Sequence, residues 1–146
     1  IGEIVNGTAT DGKRLKETFL NATPALKRLR EQVTKAAGRG YLKGLDGRKI
    51  WIKSDHSALN YLLQSAGAIV MKRALVILYD YAEGAKLNFK LVGNIHDEIQ
   101  AEVAEEHAEV FGKMAVSAII EAGNQLNMRC PQDGEYQIGT SWADTH

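Results

Sequence analysis

The chain has 146 residues, 45% of them hydrophobic and 25% charged, with a formal net charge of zero. That is one domain's worth of polypeptide with enough apolar material for a real core, which places it among soluble globular chains. A single cysteine, Cys130, excludes an internal disulfide and fits a reducing, cytoplasmic compartment, and neither a signal peptide nor an uninterrupted apolar run of about 18 residues is read, which argues against a membrane partner. The zero net charge hides an asymmetry. From Lys13 to Lys53 there are 12 Lys/Arg against three acids, whereas from Asp80 to His146 there are four Lys/Arg against 12 Asp/Glu. A basic region attracts phosphate and an acidic one gathers divalent metal, so the distribution fits a metal enzyme that handles nucleic acid; two solvated faces without a partner would carry the same pattern.

In chain order, Ile1 to Gly7 reads as a helix already in progress, and with no initiator methionine the chain is expected to be a piece of a longer protein; a tag scar or a split gene would give the same start. Asp11 to Leu20 reads as a short helix ended by Asn21-Ala22-Thr23. Thr23-Pro24 then restarts one, with Thr23 as cap and Pro24 at the first helical position, where its missing N–H costs nothing. Leu26, Leu29 and Val33 recur at helical spacing on it, opposite a face carrying Lys27, Arg28, Arg30 and Lys35, and Gly38-Arg39-Gly40 ends it. Tyr41 to Leu45 and Arg48 to Ile52 flank Asp46-Gly47, a dipeptide suited to a type I′ turn, so a basic hairpin follows whose Lys43, Arg48, Lys49 and Lys53 can reach a polyanion.

Asp55 to Glu83 is the longest periodic segment, roughly 29 residues or about 43 Å as one helix. Ser54 or Asp55 can cap its start and Gly84 its end. Leu59, Leu62, Leu63, Ala66, Ile69, Val70, Ile77 and Leu78 give it a broad apolar side, while His56, Asn60 and Gln64 fall at i, i+4 and i+8 in one polar stripe. Next comes an alternation of Phe89, Leu91 and Gly93 with Lys90, Val92 and Asn94, then His96-Asp97, then Ile99, Ala101 and Val103 alternating with Glu98, Gln100 and Glu102. Two half-buried strands with a tight connection explain that period, and a carboxylate at the tip is pre-positioned on both sides, as a hard oxygen-ligand metal requires; a plain polar turn would look the same. Glu105 to Leu126 reads as an amphipathic helix with His107 on its exposed face, and Cys130 to Gly139 as a closing strand around Asp133-Gly134.

Three stretches then carry a resemblance. Asn94-Ile95-His96-Asp97-Glu98-Ile99-Gln100 resembles motif C of family A DNA polymerases in its bacteriophage form, and Lys43-Gly44-Leu45-Asp46-Gly47-Arg48-Lys49 and Asn60-Tyr61-Leu62-Leu63-Gln64-Ser65-Ala66-Gly67-Ala68 match the same family in the right order. The ending, Trp142-Ala143-Asp144-Thr145-His146, is similar to members that finish in Trp followed shortly by His, although the role of His146 stays open. The resemblance spans nearly the whole chain and implies an α+β fold, an antiparallel palm sheet backed by long helices and preceded by a helical segment and a hairpin from the fingers, with residues 1–54 in the fingers and 55–146 in the palm.

It also implies a reaction. A primer 3′-hydroxyl attacks the α-phosphorus of a deoxynucleoside triphosphate, with two Mg²⁺ ions about 3.5 to 4 Å apart lowering the hydroxyl's pKa and neutralising the leaving group. Asp97 would be a metal ligand, Glu98 a neighbour acting at second hand because successive strand residues face opposite ways, and His96 a support for the primer terminus. Asn60 and Gln64 would offer amide donors to the minor-groove acceptors that every correct base pair presents in nearly the same places. His56 stands where bacterial relatives have Arg, and phage-type members resemble this chain there. Primer-template DNA, deoxynucleoside triphosphates and a missing N-terminal portion carrying the first catalytic aspartate and the nucleotide-gripping helix are the implied partners, in a host-cell cytoplasm if the protein is viral. A single-metal hydrolase built on Asp97, Glu98 and His96, and a non-catalytic DNA-binding or subunit module, are the other readings.

Overall fold

The computed structural model describes residues 7–146, apart from the Asp55 side chain, so the expected N-terminal helical start and any capping by Asp55 lie outside the described residues. The chain divides into two compact units, residues up to 43 together with 49–62, and 44–48 together with 63–146.

The first unit opens with α1 (Ala9–Ala22), longer than its periodicity suggested because Thr8 and Asp11 form a capping box: the Asp11 carboxylate accepts from the Thr8 N–H at 2.9 Å while the Asp11 N–H donates to the Thr8 hydroxyl at 3.3 Å. Helix α2 (Pro24–Ala37) has proline in its first turn and Thr23 at its N-cap as expected, but the Thr23 side chain makes no capping bond. The Thr23 hydroxyl instead donates to the Phe19 carbonyl at 2.7 Å, a second bond to an acceptor that the Thr23 N–H already reaches at 3.0 Å, closing the end of α1. Strands β1 (Tyr41–Lys43) and β2 (Lys49–Trp51) pair antiparallel, Tyr41 opposite Trp51 and Lys43 opposite Lys49. Their connection is not a type I′ turn. Gly47 N–H closes on the Gly44 carbonyl at 3.0 Å, and of the residues between and after, Gly47 alone has positive φ (85°), the arrangement of a turn followed by one left-handed glycine. Leu42, Val33, Ala37 and Ala58 form this unit's core, with Ile50, Ile52, Leu59 and Leu62 packed against it.

A 3₁₀ turn, Asp55–Ser57, in which Ser57 N–H meets the Ser54 carbonyl, leads into α3 (Ala58–Gly84), 27 residues and about 40 Å long. By length and composition alone α3 is apolar enough to cross a bilayer, although Asn60, Gln64, Lys72 and Arg73 interrupt its apolar run. In the fold its Val70, Ala74, Ile77, Leu78 and Ala82 build the second unit's core with Phe111, Ala118 and Ala122, while Lys72 and Arg73 lie exposed at mid-helix. Gly84 is the last helical residue but does not supply the left-handed cap. Lys86 takes the left-handed position (φ 56°) and Leu87 N–H reaches back to the Ala82 carbonyl at 3.0 Å, the Schellman pattern.

Strands β3 (Phe89–Ile95) and β4 (Glu98–Val103) form a two-stranded antiparallel sheet with a bulge at Val92. Phe89, Leu91, Ile99, Ala101 and Val103 pack on the helical core as their period predicts, and Phe89 stands between Tyr79 and Phe111 at ring distances of 5.6 and 5.3 Å. After a 3₁₀ turn, Glu105–His107, helix α4 (Ala108–Gln125) runs on. His107 is half-buried, not exposed, and its Nδ1 accepts from the Asn88 N–H at 3.1 Å, tying the α4 entry to the start of β3.

Residues 130–139 form no strand. They lie along α4, where Tyr136 covers Gly112 and Gln132 covers Gly123 so closely that a Cβ at either glycine would overlap the side chain above it. The Tyr136 hydroxyl donates to Glu109 at 2.8 Å. An extended chain facing a helix meets no row of strand donors, so it cannot join a ladder. The last turn of helix, α5 (Trp142–Thr145), is closed by the Asp144 carboxylate, which accepts from the N–H groups of Thr140 and Ser141 at 3.0 and 2.9 Å.

Candidate active site

Ile95 pairs directly with Glu98, which makes His96-Asp97 the complete two-residue turn of the β3–β4 hairpin. His96 has positive φ (55°) and Asp97 does not, the φ pattern of a type II′ turn, where glycine is the usual first residue. Holding a Cβ-bearing residue there costs on the order of 1 kcal/mol, which the paired strands and the core beneath them offset. Both side chains are exposed, and among the described residues the Asp97 carboxylate has no hydrogen bond or ion pair. It is an unengaged carboxylate on a rigid base.

Glu98 is the opposite case. Its Oε1 accepts from Trp142 Nε1 at 3.0 Å and from the Gln100 amide, and its Oε2 lies 2.8 Å from His146 Nδ1. Those bonds, Gln100 first, then His146 and Trp142, hold its carboxyl below the ordinary carboxylate range. The strand alternation is responsible: Ile99 and Ala101 face the helices, so Glu98 and Gln100 face the other way, and the C-terminal turn covers them. Sequence reading left His146 without a role and missed Gln100 and Trp142 as its companions. The signal present was Gln100 two residues from Glu98 on the same strand face.

As a candidate Mg²⁺ ligand Asp97 has the right chemistry, an unengaged carboxylate. It stands without company: among the described residues no three His, Cys, Asp or Glu side chains gather closely enough to hold a metal. Asp97 would supply one ligand of a site, with Glu98 already committed to the C-terminal turn.

The other candidates lie apart in kind. Lys43 and Lys49 are exposed cross-strand partners on β1 and β2. Arg48 is pinned to Asp46 by an ion pair of 2.6 Å and an Nε bond of 2.7 Å, which lowers the Asp46 pKa and raises that of Arg48. Phosphate would have to compete for its guanidinium. Asn60 and Gln64 are exposed, one helical turn apart on α3, but His56 belongs to the preceding 3₁₀ turn and does not extend their stripe at true α-helical spacing.

Comparison with a solved structure gives the class of fold. The chain matches the POL domain of Pol1 from M. smegmatis, solved in complex with a DNA primer-template and dNTP, with a TM-score of 0.75 and 19% identity over 83% of this chain and 24% of that one. In sequence, the profile of DNA polymerase family A matches residues 2–144. The DNA-directed DNA polymerases of Escherichia phages Phieco32 and T7 are 38% and 37% identical over 100% of this chain, and DNA polymerase I of Aquifex aeolicus is 28% identical over 97%. The chain belongs to DNA polymerase family A. It spans about a quarter of the length of these relatives, 25%, 24% and 25% in turn.

Proposed function

We propose that this chain supplies one half of the catalytic centre of a DNA-directed DNA polymerase, adding deoxynucleotides to a primer 3′-hydroxyl by phosphoryl transfer. The observation that carries this reading is the unengaged Asp97 carboxylate in the His96-Asp97 turn, in a chain of this family. Magnesium, when bound there together with carboxylates from outside the described residues, would lower the pKa of the attacking hydroxyl and neutralise charge on the departing pyrophosphate. Asp97 would be its ligand from this chain. His96, adjacent in the turn, would support the primer terminus, and Glu98 would act through position, fixing the strand that carries Asp97. Asn60 and Gln64 would offer amide donors to the minor groove of the newly made duplex, with His56 near the start of that helix, and Lys43, Lys49 and, against competition from Asp46, Arg48 would meet backbone phosphates. Residues 1–54 would then be the last part of a fingers subdomain and 55–146 the palm, at work in a cytoplasm, that of a host cell if the protein is viral.

A second reading, a non-catalytic DNA-binding or subunit module, draws on the lack of any three-residue metal cluster among the described residues. Primer extension separates the two. The 146-residue chain alone should not extend a primer, and adding the remainder of a polymerase of the relatives' length should produce Mg²⁺-dependent extension. A subunit module would leave extension by that remainder unchanged.

A further inference from the structure

The outer face of the β1–β2 hairpin has a composition that hairpin stability alone does not require. Leu42 and Ile50 turn inward to the core, so the alternate residues Tyr41, Lys43, Lys49 and Trp51 share the other face. Trp51 is 69% exposed, and its ring meets that of Tyr41 edge to face at 5.8 Å. Cations surround the pair: Lys49 Nζ lies 4.9 Å from the Tyr41 ring centre and 5.9 Å from that of Trp51, and the Arg39 guanidinium lies 5.8 Å from Tyr41. An indole that exposed forgoes burial worth roughly 1.5–3 kcal/mol for a large apolar side chain.

We propose that this face binds unpaired nucleotides of a single DNA strand, one base stacking on Trp51 while Arg39, Lys43 and Lys49 meet the flanking phosphates. The inference rests on the polymerase reading and narrows it, from general phosphate attraction to a platform for strand that is not yet paired. Two physical arguments select that occupant. Charge complementarity points to a polyanion, since the face has four basic or aromatic neighbours and no acidic one in its strands, and the segment from Lys13 to Lys53 is strongly basic. The exposed π-face selects against a duplex, whose bases are already stacked on one another, and in favour of separated bases, which stack on aromatic side chains irrespective of sequence.

The test is the affinity of this chain for a fluorescein-labelled oligothymidylate and for a blunt duplex of equal length, measured by anisotropy across a salt series, with circular dichroism to verify the fold of each variant. Trp51→Ala should weaken single-strand binding about 5- to 100-fold and leave duplex binding within about twofold, while Trp51→Phe, which keeps a π-face, stays near the parent. Lys49→Gln should weaken both and reduce the salt slope by about one. Should Trp51→Ala lose its fold, Trp51→Leu, which keeps apolar bulk without a π-face, takes its place with the same expected loss. Unchanged single-strand affinity in Trp51→Ala or its substitute Trp51→Leu, equal losses on single strand and duplex in that variant, or no single-strand binding by the parent would each overturn the proposal. Failure here is read in oligonucleotide affinity at Trp51, whereas failure of the polymerase reading is read in nucleotide addition on loss of Asp97, and neither readout depends on the other.

Discussion

His96 occupies a backbone conformation that glycine adopts freely, with its side chain exposed beside an unengaged carboxylate. If that side chain is there for function, His96→Gly should keep or raise thermal stability, by up to about 1 kcal/mol, while slowing nucleotide addition in the complete enzyme. A variant that is both more stable and fully active would make His96 an accident of the turn. On α3, Asn60→Ala and Gln64→Ala should each shift the ratio of matched to mismatched primer extension, since each removes a donor worth about 0.5 to 1.5 kcal/mol that correct pairs alone satisfy. Loss of stability with that ratio unchanged would reassign them to packing. Asp97 was legible in the sequence because regular alternation on both sides left the turn nowhere else to be. The partners of Glu98 were not legible, because Trp142 and His146 lie more than forty residues away and no local pattern records a contact of that range.

Among the elements, the last helical turn is held by carboxylates. Glu98 anchors it to β4, and Asp144, accepting from Ser141 and Thr140, closes it on itself; both are held below the ordinary carboxylate range by those bonds. A depressed folded-state pKa stabilises the docked form fully above the unfolded value, near 4, and the contribution is lost as pH falls through the lowered values. The Trp142 indole N–H resonance should therefore report a docked turn at neutral pH and its release under acid, below about pH 4. Docking that persists to about pH 2, or that Glu98→Gln leaves untouched, would contradict the anchoring role. Behind the sheet, Gly112→Ala should cost about 1–3 kcal/mol, because its methyl would enter the space of the Tyr136 ring, and chemical denaturation measures it. That contact explains why residues 130–139 read as a strand and are not one: Tyr136 and Gln132 are seated over Gly112 and Gly123 of α4, and a glycine in a helix says nothing of what lies over it. The helices were easier, since their apolar periods are long, although the left-handed cap of α3 fell to Lys86 and not to Gly84.

At the scale of the molecule, β3 and β4 have only each other to pair with among the described residues, and exposed apolar side chains include Val92 at 67% and Leu63 at 56%. Two-stranded edges of this kind seek partners, so the isolated chain should self-associate, with a sedimentation profile that depends on concentration and sharpens when the remainder of a polymerase is supplied. A strictly monomeric chain across the micromolar range would count against an open edge. The α+β architecture was legible as a whole because the family motifs and the hydrophobic periods agreed; the division into two units near residues 62–63 was not, since α3 runs through it without a break in pattern. If Asp97 binds the metal that drives nucleotide addition, the most direct measurement is single-nucleotide incorporation by the complete polymerase carrying Asp97→Ala, with primer-template affinity measured on the same preparation. Incorporation should fall by at least about a thousandfold while DNA affinity changes by less than about threefold, because a metal ligand is lost and no DNA contact is. Incorporation within tenfold of the parent, or a loss explained entirely by weaker DNA binding, would contradict it.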